Sequence, residues 1–452
     1  MAVHQGTEGG SSLTADRREL ENRLGNLQEA LDELPERPDR SSEQERVAGE
    51  LKGTARILRR RFLRRHAEAV YEELTDGLTR SPRLTELARL GAERFPQLVP
   101  DPPRLKQDAV RQQRHKDGLE IDLGIFYGEL LHHPRSGRHL VQSMTEPTAE
   151  ALSRVAEFRR TGTVDLGPVA VRRDGSVGLV TFQNKRFLNA EDNDTATALE
   201  IAVDLVLLDD AIEVGILRGD VMDHPKWAGQ RIFGAGINLS ALYEGDISLV
   251  DFFLNRELGA LHKIFRGHPL DRESDDDLAE RREKPWISVV DNFAIGGACQ
   301  TLLVTDRVVA DDTSYFNLPA GREGIVPGCG VLRLPRFLGE GLARQTIFSS
   351  LDIPSNTPEG RMLVSDVAPA DALDGVVQRA AADFLDCGPV GVCANRRAMR
   401  AGQEPLDAFR RYMATYALDQ AVCIHSKEVI ANLERTWGDK LAARATMKGI
   451  TT

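Results

Sequence analysis

Leucines recur at helical spacing near the start of the chain. They are Leu20, Leu24, Leu27, Leu31 and Leu34. Alternating steps of four and three residues place them on one face of an amphipathic helix. Pro35 then ends this helix. Ser42 with Glu45 predicts a capping box at the start of a second helix. Further helices are expected over 104–116, 119–132 and 147–160, so residues 1–165 are predicted to form a helical N-terminal domain.

The pattern changes near residue 161. Short alternating β-branched segments at 169–172 and 177–182 flank Asp174-Gly175, a hairpin signal. Beyond them, predicted helices (195–208, 249–265) alternate with apolar strands (211–217, 286–293). Alternation of this kind is typical of crossover units in an α/β fold. The pattern becomes helical again after Gly339, and the last strong helices are expected over 406–418 and 421–436.

Composition narrows the functional class. The chain has 452 residues, 69 acidic against 58 basic side chains and a net charge of −11, which disfavours nucleic acid or an anionic membrane as a partner. The arginine-rich run at 59–65 is interpreted as a solvated helix face. No apolar run is long enough to span a bilayer. Five cysteines without a C-x-x-C pair indicate reduced thiols, and we expect a cytoplasmic protein.

Two glycine-bearing loops are candidates for chemistry. The first is 233–239, and the second is 292–300. Small residues let the backbone approach a ligand closely. A helix that begins in the second loop would direct unpaired N–H groups outward. Two such loops side by side would hold an oxyanion, although each loop alone is equally compatible with tight strand–helix packing.

Several segments together resemble the crotonase (enoyl-CoA hydratase/isomerase) superfamily over about residues 166–370. They are Leu188-Asn189-Ala190, 235–239, 294–298 with Asp306, and 319–334. The resemblance implies an α/β fold: a crotonase-like ββα spiral core (166–370), between the all-helical N-terminal extension and a C-terminal helical segment (371–452). In this family the C-terminal helices pack over the active site and the subunits form trimers or paired trimers, so a trimer or hexamer is expected.

The resemblance also implies an acyl-CoA thioester substrate. The backbone N–H groups of Ile237 and Gly297 would form the oxyanion hole. Lys185, Arg186 and Ala235 are the candidate contacts to CoA, although the two cations are equally compatible with ordinary surface charge.

The departures from the family pattern argue against hydration. Hydratases place two glutamates where this chain has Gln300 and Ala320. An amide and a methyl group do not serve as general acid and base. The remaining pocket wall is apolar, with Leu239 and Ile325 among its expected members.

These departures, with the long N-terminal extension, resemble a branch of cofactor-independent dioxygenases of glycopeptide-antibiotic biosynthesis that act on an arylacetyl-CoA. The resemblance implies O₂ as co-substrate, with no metal and no cofactor. Leu239, Ala320 and Ile325 would line an oxygen pocket, and Glu191, Arg256 and Gln300 would bind the aryl ring. No residue is assigned as the base. A crotonase-type hydrolase or decarboxylase, a non-catalytic CoA-binding scaffold and a coiled-coil adaptor stay open as alternatives.

Overall fold

The computed structural model describes residues 12–271 and 279–435. Its first part is helical, as the hydrophobic pattern predicts. The helices are α1 (Leu13–Asp32), α2 (Ser42–Leu74), α3 (Leu84–Arg94), α4 (Pro102–Ala109), α5 (Leu119–His132), α6 (Pro134–Thr145) and α7 (Ala149–Thr161).

Two local predictions in this part are wrong. The capping box lies one residue earlier: the Ser41 hydroxyl accepts from the Gln44 N–H at 3.2 Å, and the Gln44 side chain accepts from the Ser41 N–H at 2.8 Å. The helix expected over 104–116 ends at Ala109. Pro134 begins α6, where its missing N–H costs nothing.

The strands follow from residue 163 onward. They are β1 (Thr163–Asp165), β2 (Val169–Asp174), β3 (Val177–Phe182), β4 (Val214–Gly219), β5 (His268–Pro269), β6 (Arg281–Arg282), β7 (Trp286–Val290), β8 (Phe293–Ile295), β9 (Arg307–Asp311), β10 (Tyr315–Asn317), β11 (Ile353–Pro354) and β12 (Asp366–Ala368). In the described residues the main sheet has the order β1-β2-β3-β4-β7-β9-β12. Its strands are parallel from β3 onward, and β8, β10 and β11 form a smaller sheet.

The remaining helices alternate with the strands or follow the last strand in the chain. They are α8 (Asn193–Leu208), α9 (Leu239–Glu244), α10 (Leu261–Arg266), α11 (Gly297–Leu302), α12 (Ala320–Glu323), α13 (Gly330–Ser349), α14 (Leu373–Cys387), α15 (Pro389–Gln403), α16 (Leu406–Ile424) and α17 (Lys427–Leu433). The helix expected over 249–265 is largely π-helical, over Leu249–Leu254 and Arg256–Ala260. None of the helices in the described residues is long and apolar enough to cross a membrane.

The N-terminal and C-terminal helices share one apolar core. Buried side chains of α2, α3, α5, the π-helical segment and α16 pack together there. Helix α5 approaches α16 closely at two glycines: a Cβ at Gly124 would lie 2.6 Å from the Ala417 oxygen, and one at Gly128 would lie 2.8 Å from the Ala414 oxygen. The division at residues 165 and 370 stays a prediction.

Candidate active site

The two glycine loops lie side by side. The Glu191 N–H donates to the Gly236 backbone carbonyl at 2.7 Å, and the Asn238 N–H donates to the Glu191 backbone carbonyl at 2.7 Å. On the other side, the Ile295 N–H donates to the Gly234 oxygen at 3.0 Å. The segment around Gly236 is therefore held between the segment that carries Glu191 and the second loop.

Glycine is required where the loops touch. Gly236 has a φ of +81°, and a Cβ there would lie 2.9 Å from the Ile295 oxygen. Gly296 has a φ of +56°, and its Cβ would lie 3.3 Å from the Gly236 Cα. Side chains are disfavoured at such φ values, so both positions need glycine for conformation and for space.

The two predicted oxyanion donors face one small cavity. Gly297 is the first residue of α11, so its N–H has no partner within the helix. Within the described ranges, neither the Ile237 N–H nor the Gly297 N–H donates a hydrogen bond. Both residues line a cavity of about 30 Å³. That volume holds about one or two water-sized molecules.

Arg256 organises the polar half of this cavity. It forms an ion pair with Glu191, with 2.7 Å between its Nε and Oε2, and its Nη1 donates to Glu257 at 2.8 Å. The same Nη1 donates to the Gln300 oxygen at 3.1 Å, and Nη2 donates to the Gly297 carbonyl at 2.6 Å. The three residues predicted to bind the aryl ring (Glu191, Arg256 and Gln300) thus form one network beside the N-terminus of α11.

Burial and charge oppose each other at Arg256. Its side chain is only 4% exposed, and burial by itself disfavours the charged guanidinium. The adjacent carboxylates of Glu191 and Glu257 outweigh that effect and raise the pKa of Arg256 above its ordinary value. The arginine is therefore permanently charged, and it fixes the acceptor oxygens of its neighbours.

Apolar side chains line much of the rest of the cavity. Ala320 and Ile325, two of the three residues expected at an oxygen pocket, line it together with Val326 and the carboxylate of Glu323. Leu239, the third predicted member, does not line the cavity: it begins α9 and packs against the helical core instead. Two further lining residues were not predicted from the sequence: Phe252 and Phe253, both from the π-helical segment.

Helix α16, from the C-terminal part of the chain, packs over the cavity. Tyr416 lines it, the Gln420 side chain accepts from the Val326 N–H at 2.9 Å, and the Tyr412 hydroxyl donates to the Gly328 carbonyl. Burial raises the pKa of Tyr416 well above its ordinary value, so its hydroxyl stays protonated. The sequence identified the helix but not Tyr416, because that contact joins distant parts of the chain.

The candidate CoA contacts lie outside the cavity lining. Lys185 pairs with Asp220 at 2.9 Å, and this carboxylate raises the pKa of Lys185. Arg186 is exposed and stacks over Phe187, with its guanidinium carbon 5.1 Å from the ring centre. The Ala235 N–H donates to the Leu188 oxygen at 3.1 Å. These residues precede or begin the first glycine loop.

The described histidine and cysteine side chains make structural contacts. The His139 Nε2–H donates to the Leu78 carbonyl at 3.1 Å, and its Nδ1 lies 2.8 Å from the Tyr71 hydroxyl. Among residues 12–271 and 279–435, no three His, Cys, Asp or Glu side chains are grouped to hold a metal ion. Cys299 and Cys329 are free and buried, and burial raises the pKa of Cys299 to about 12.

Sequence and structure comparisons agree on the family. The enoyl-CoA hydratase/isomerase family model matches residues 270–429. The chain is 44% identical to a (3,5-dihydroxyphenyl)acetyl-CoA 1,2-dioxygenase from Amycolatopsis orientalis, over 92% of this chain and 95% of the relative. This chain belongs to the enoyl-CoA hydratase/isomerase (crotonase) family.

More distant relatives match a shorter part of the chain. A short-chain-enoyl-CoA hydratase from Clostridium acetobutylicum is 28% identical over 53% of this chain and 84% of the relative. A solved enoyl-CoA hydratase/isomerase from Xanthobacter autotrophicus Py2 superposes with a TM-score of 0.51 at 20% identity, over 64% of this chain and 99% of that one. The latter likeness shows that the shared part of this chain has the crotonase fold.

Proposed function

We propose that this protein is a dioxygenase that converts (3,5-dihydroxyphenyl)acetyl-CoA and O₂ to 3,5-dihydroxyphenylglyoxylate and CoA, without a metal or an organic cofactor. The observation that carries the proposal is the 44% identity to the Amycolatopsis orientalis dioxygenase over 92% of the chain. Gln300 and Ala320 support it, because they occupy the positions of the two glutamates on which hydration depends.

The first chemical task is to stabilise an enolate. Loss of an α-proton moves negative charge onto the thioester oxygen. The N–H groups of Ile237 and Gly297 border the same cavity and are free to donate to that oxygen. One preorganised donor of this kind contributes about 2.7–4 kcal/mol to a transition state.

The second task is to orient the ring. Arg256 holds one oxygen of Glu191 and the oxygen of Gln300, at 3.1 Å each. In the described residues the Gln300 amide nitrogen has no protein partner, so it is available to a ring hydroxyl. Glu191 is positioned to accept from another hydroxyl, and the charge of Arg256 favours the electron-rich ring.

The third task is to admit oxygen. O₂ is apolar, and the wall formed by Ala320, Ile325 and Val326 suits it. The enolate reduces O₂ and forms a peroxide at the α-carbon. The peroxide attacks the thioester carbonyl and expels CoA thiolate. Cleavage of the O–O bond, with loss of the second α-proton, leaves the α-keto acid, so both oxygen atoms enter the product.

The remaining features of the proposal concern CoA and assembly. Lys185 and Arg186 contact the CoA phosphates, because their charge complements them in a chain whose net charge is −11. Ala235 contributes backbone contacts from the first loop. We place the enzyme in the cytoplasm as a trimer or hexamer, the usual assembly of crotonase relatives.

Oxygen dependence tests the proposal. With (3,5-dihydroxyphenyl)acetyl-CoA, we expect one thiol released per O₂ consumed, and no thiol release under strict anaerobiosis. A chelator should leave the rate unchanged. An oxygen electrode combined with a thiol reagent measures both quantities. Equal thiol release without O₂ would identify a hydrolase instead, and no release in air would favour a non-catalytic scaffold.

Paired glycine variants tie this activity to the cavity. A Cβ at Gly297 would lie 2.2 Å from Glu191 Oε2, so Gly297→Ala displaces the network beside the oxyanion hole. We expect a loss of about 100-fold in kcat/KM. Gly341→Ala is the matched control, because a Cβ there meets nothing within 4 Å. Equal activity of the two variants would contradict the proposed site.

A further inference from the structure

Three carboxylates line the cavity, and they differ in their partners. Glu191 and Glu257 both pair with Arg256, at 2.7 Å and 2.8 Å. Glu323 lines the same cavity, but within the described ranges its side chain makes no ion pair and no hydrogen bond. Glu323 is therefore the carboxylate whose lone pairs are not already engaged by the arginine.

Helix α12 explains why Glu323 reaches the cavity. The helix begins at Ala320, the position where hydratases carry a glutamate, and ends at Glu323. Residues three apart lie on one face of a helix, so both side chains point the same way. Both line the cavity. A carboxylate is thus displaced by about one turn from the position that the family pattern predicts.

The surroundings of Glu323 favour a base that works near neutral pH. Burial alone raises the pKa of Glu323 to about 7. The charged or titratable groups that share its cavity are Glu191, Arg256, Glu257 and Tyr416.

At Gly321 and Gly324, the nearest atoms from the helices packed against α12 are backbone atoms or uncharged side chains. Near Gly321, α13 presents the backbone of Ile347 and Phe348. Near Gly324, α17 presents Val429 and Asn432. The Asn432 amide also donates to the Arg322 carbonyl at 3.1 Å, which holds α12 in place.

We propose that Glu323 is the base that removes the α-proton of the bound thioester, an inference that rests on the proposed function. The carboxylate accepts the proton and becomes a neutral acid. The electron pair of the broken C–H bond forms the enolate double bond, and the negative charge moves to the oxygen held by the N–H groups of Ile237 and Gly297. No net charge is added to the cavity in this step.

Deuterium exchange separates this step from the oxygen chemistry. Wild-type protein in D₂O without O₂ should exchange the α-protons of (3,5-dihydroxyphenyl)acetyl-CoA, followed by NMR or mass spectrometry. Glu323→Gln keeps the shape of the side chain and should slow both exchange and aerobic turnover by about 10²–10⁴-fold. Glu340→Gln, at an exposed glutamate of α13, is the matched control and should match wild type.

The pH profile and a shorter acid give independent readouts. Only the ionised carboxylate accepts a proton, so kcat/KM of wild type should fall as the pH drops below about 7. The residual kcat/KM of Glu323→Gln should not show this fall. Glu323→Asp should recover part of the rate. Glu323→Gln exchange and turnover within about twofold of wild type would overturn the assignment. If wild type exchanges the α-protons but consumes no O₂, and Glu323→Gln does not exchange them, the dioxygenase function is refuted. Glu323 would then still be the base.

Discussion

Arg256 couples the proposed ring-binding site to the stability of the fold at the level of a single residue. Its guanidinium satisfies two carboxylates whose residues are 5% and 2% exposed, Glu191 and Glu257. Glu257 in turn accepts from the Cys329 N–H at 3.1 Å, which ties the loop after α12 to the π-helical segment. Any change at Arg256 therefore leaves buried negative charge as well as a less ordered ring site.

Replacement of Arg256 tests this coupling. Arg256→Met keeps the volume but leaves both carboxylates unpaired, so we expect a loss of about 3–5 kcal/mol in the free energy of unfolding at neutral pH. Urea unfolding at pH 8 measures this loss.

Two controls accompany this variant. Adding Glu191→Gln and Glu257→Gln to Arg256→Met removes the buried charge and should restore part of the stability. Arg344→Met breaks an exposed pair with Glu340 and should cost less than about 1 kcal/mol. A deficit that the added amides do not reduce would contradict the charge argument.

At the scale of elements, periodic segments were predictable and short ones were not. The leucine stripe predicted α1, and the sequence also predicted α5 and the hairpin of β2 and β3. β11 and β12 have two and three residues, too few for a period to be read. A π-helical turn is wider than an α-helical turn. It brings Phe252, Phe253, Arg256 and Glu257 to the same cavity, which a period of 3.6 does not anticipate.

The candidate site was predictable to the extent that it is local in sequence. The two loops and the network of Glu191, Arg256 and Gln300 follow from motifs, and the structure brings them together. The resemblance predicts Leu239 at the oxygen pocket, yet Leu239 begins α9 and packs against the helical core without lining the cavity. Tyr416 depends on packing between α16 and distant loops, for which the sequence carries no local signal.

The contact between α5 and α16 supports a prediction at this scale. Gly124→Ala places a methyl group 2.6 Å from the Ala417 oxygen, and we expect about 1–3 kcal/mol of destabilisation. Because α16 carries Tyr416, kcat/KM should fall as well. Gly49→Ala makes the same change on α2, where a Cβ meets nothing within 4 Å. It should stabilise by about 0.5–1 kcal/mol. Thermal unfolding that shifts both variants in the same direction would contradict this interpretation.

At the scale of the whole molecule, a buried ionic cluster joins the helical N-terminal part to the sheet. Asp204 of α8 accepts from Lys263 at 2.7 Å and contacts His268 at 2.8 Å, and it also accepts from the Thr148 N–H at 2.7 Å, where α7 begins. Glu200 extends the cluster to Arg83, beside α3, at 2.6 Å. Elements far apart in sequence therefore depend on one carboxylate that is fully buried.

Asp204 makes the stability of the whole fold sensitive to acid. Burial by itself disfavours its charge, but Lys263 and His268 outweigh burial and hold the pKa of Asp204 below its ordinary value. A group with a lowered folded-state pKa stabilises the protein at pH values above its unfolded pKa of about 3.9, and this contribution is lost as the pH falls.

Asp204→Asn should therefore lower the free energy of unfolding by about 3–5 kcal/mol at pH 7, and the difference from wild type should narrow below about pH 4. Asp383→Asn removes an exposed partner of Arg307 and should cost less than about 1 kcal/mol. Urea unfolding between pH 7 and pH 3.5 measures the difference in unfolding free energy between wild type and Asp204→Asn. A difference that stays constant or widens in acid would show that Asp204 does not act through its charge.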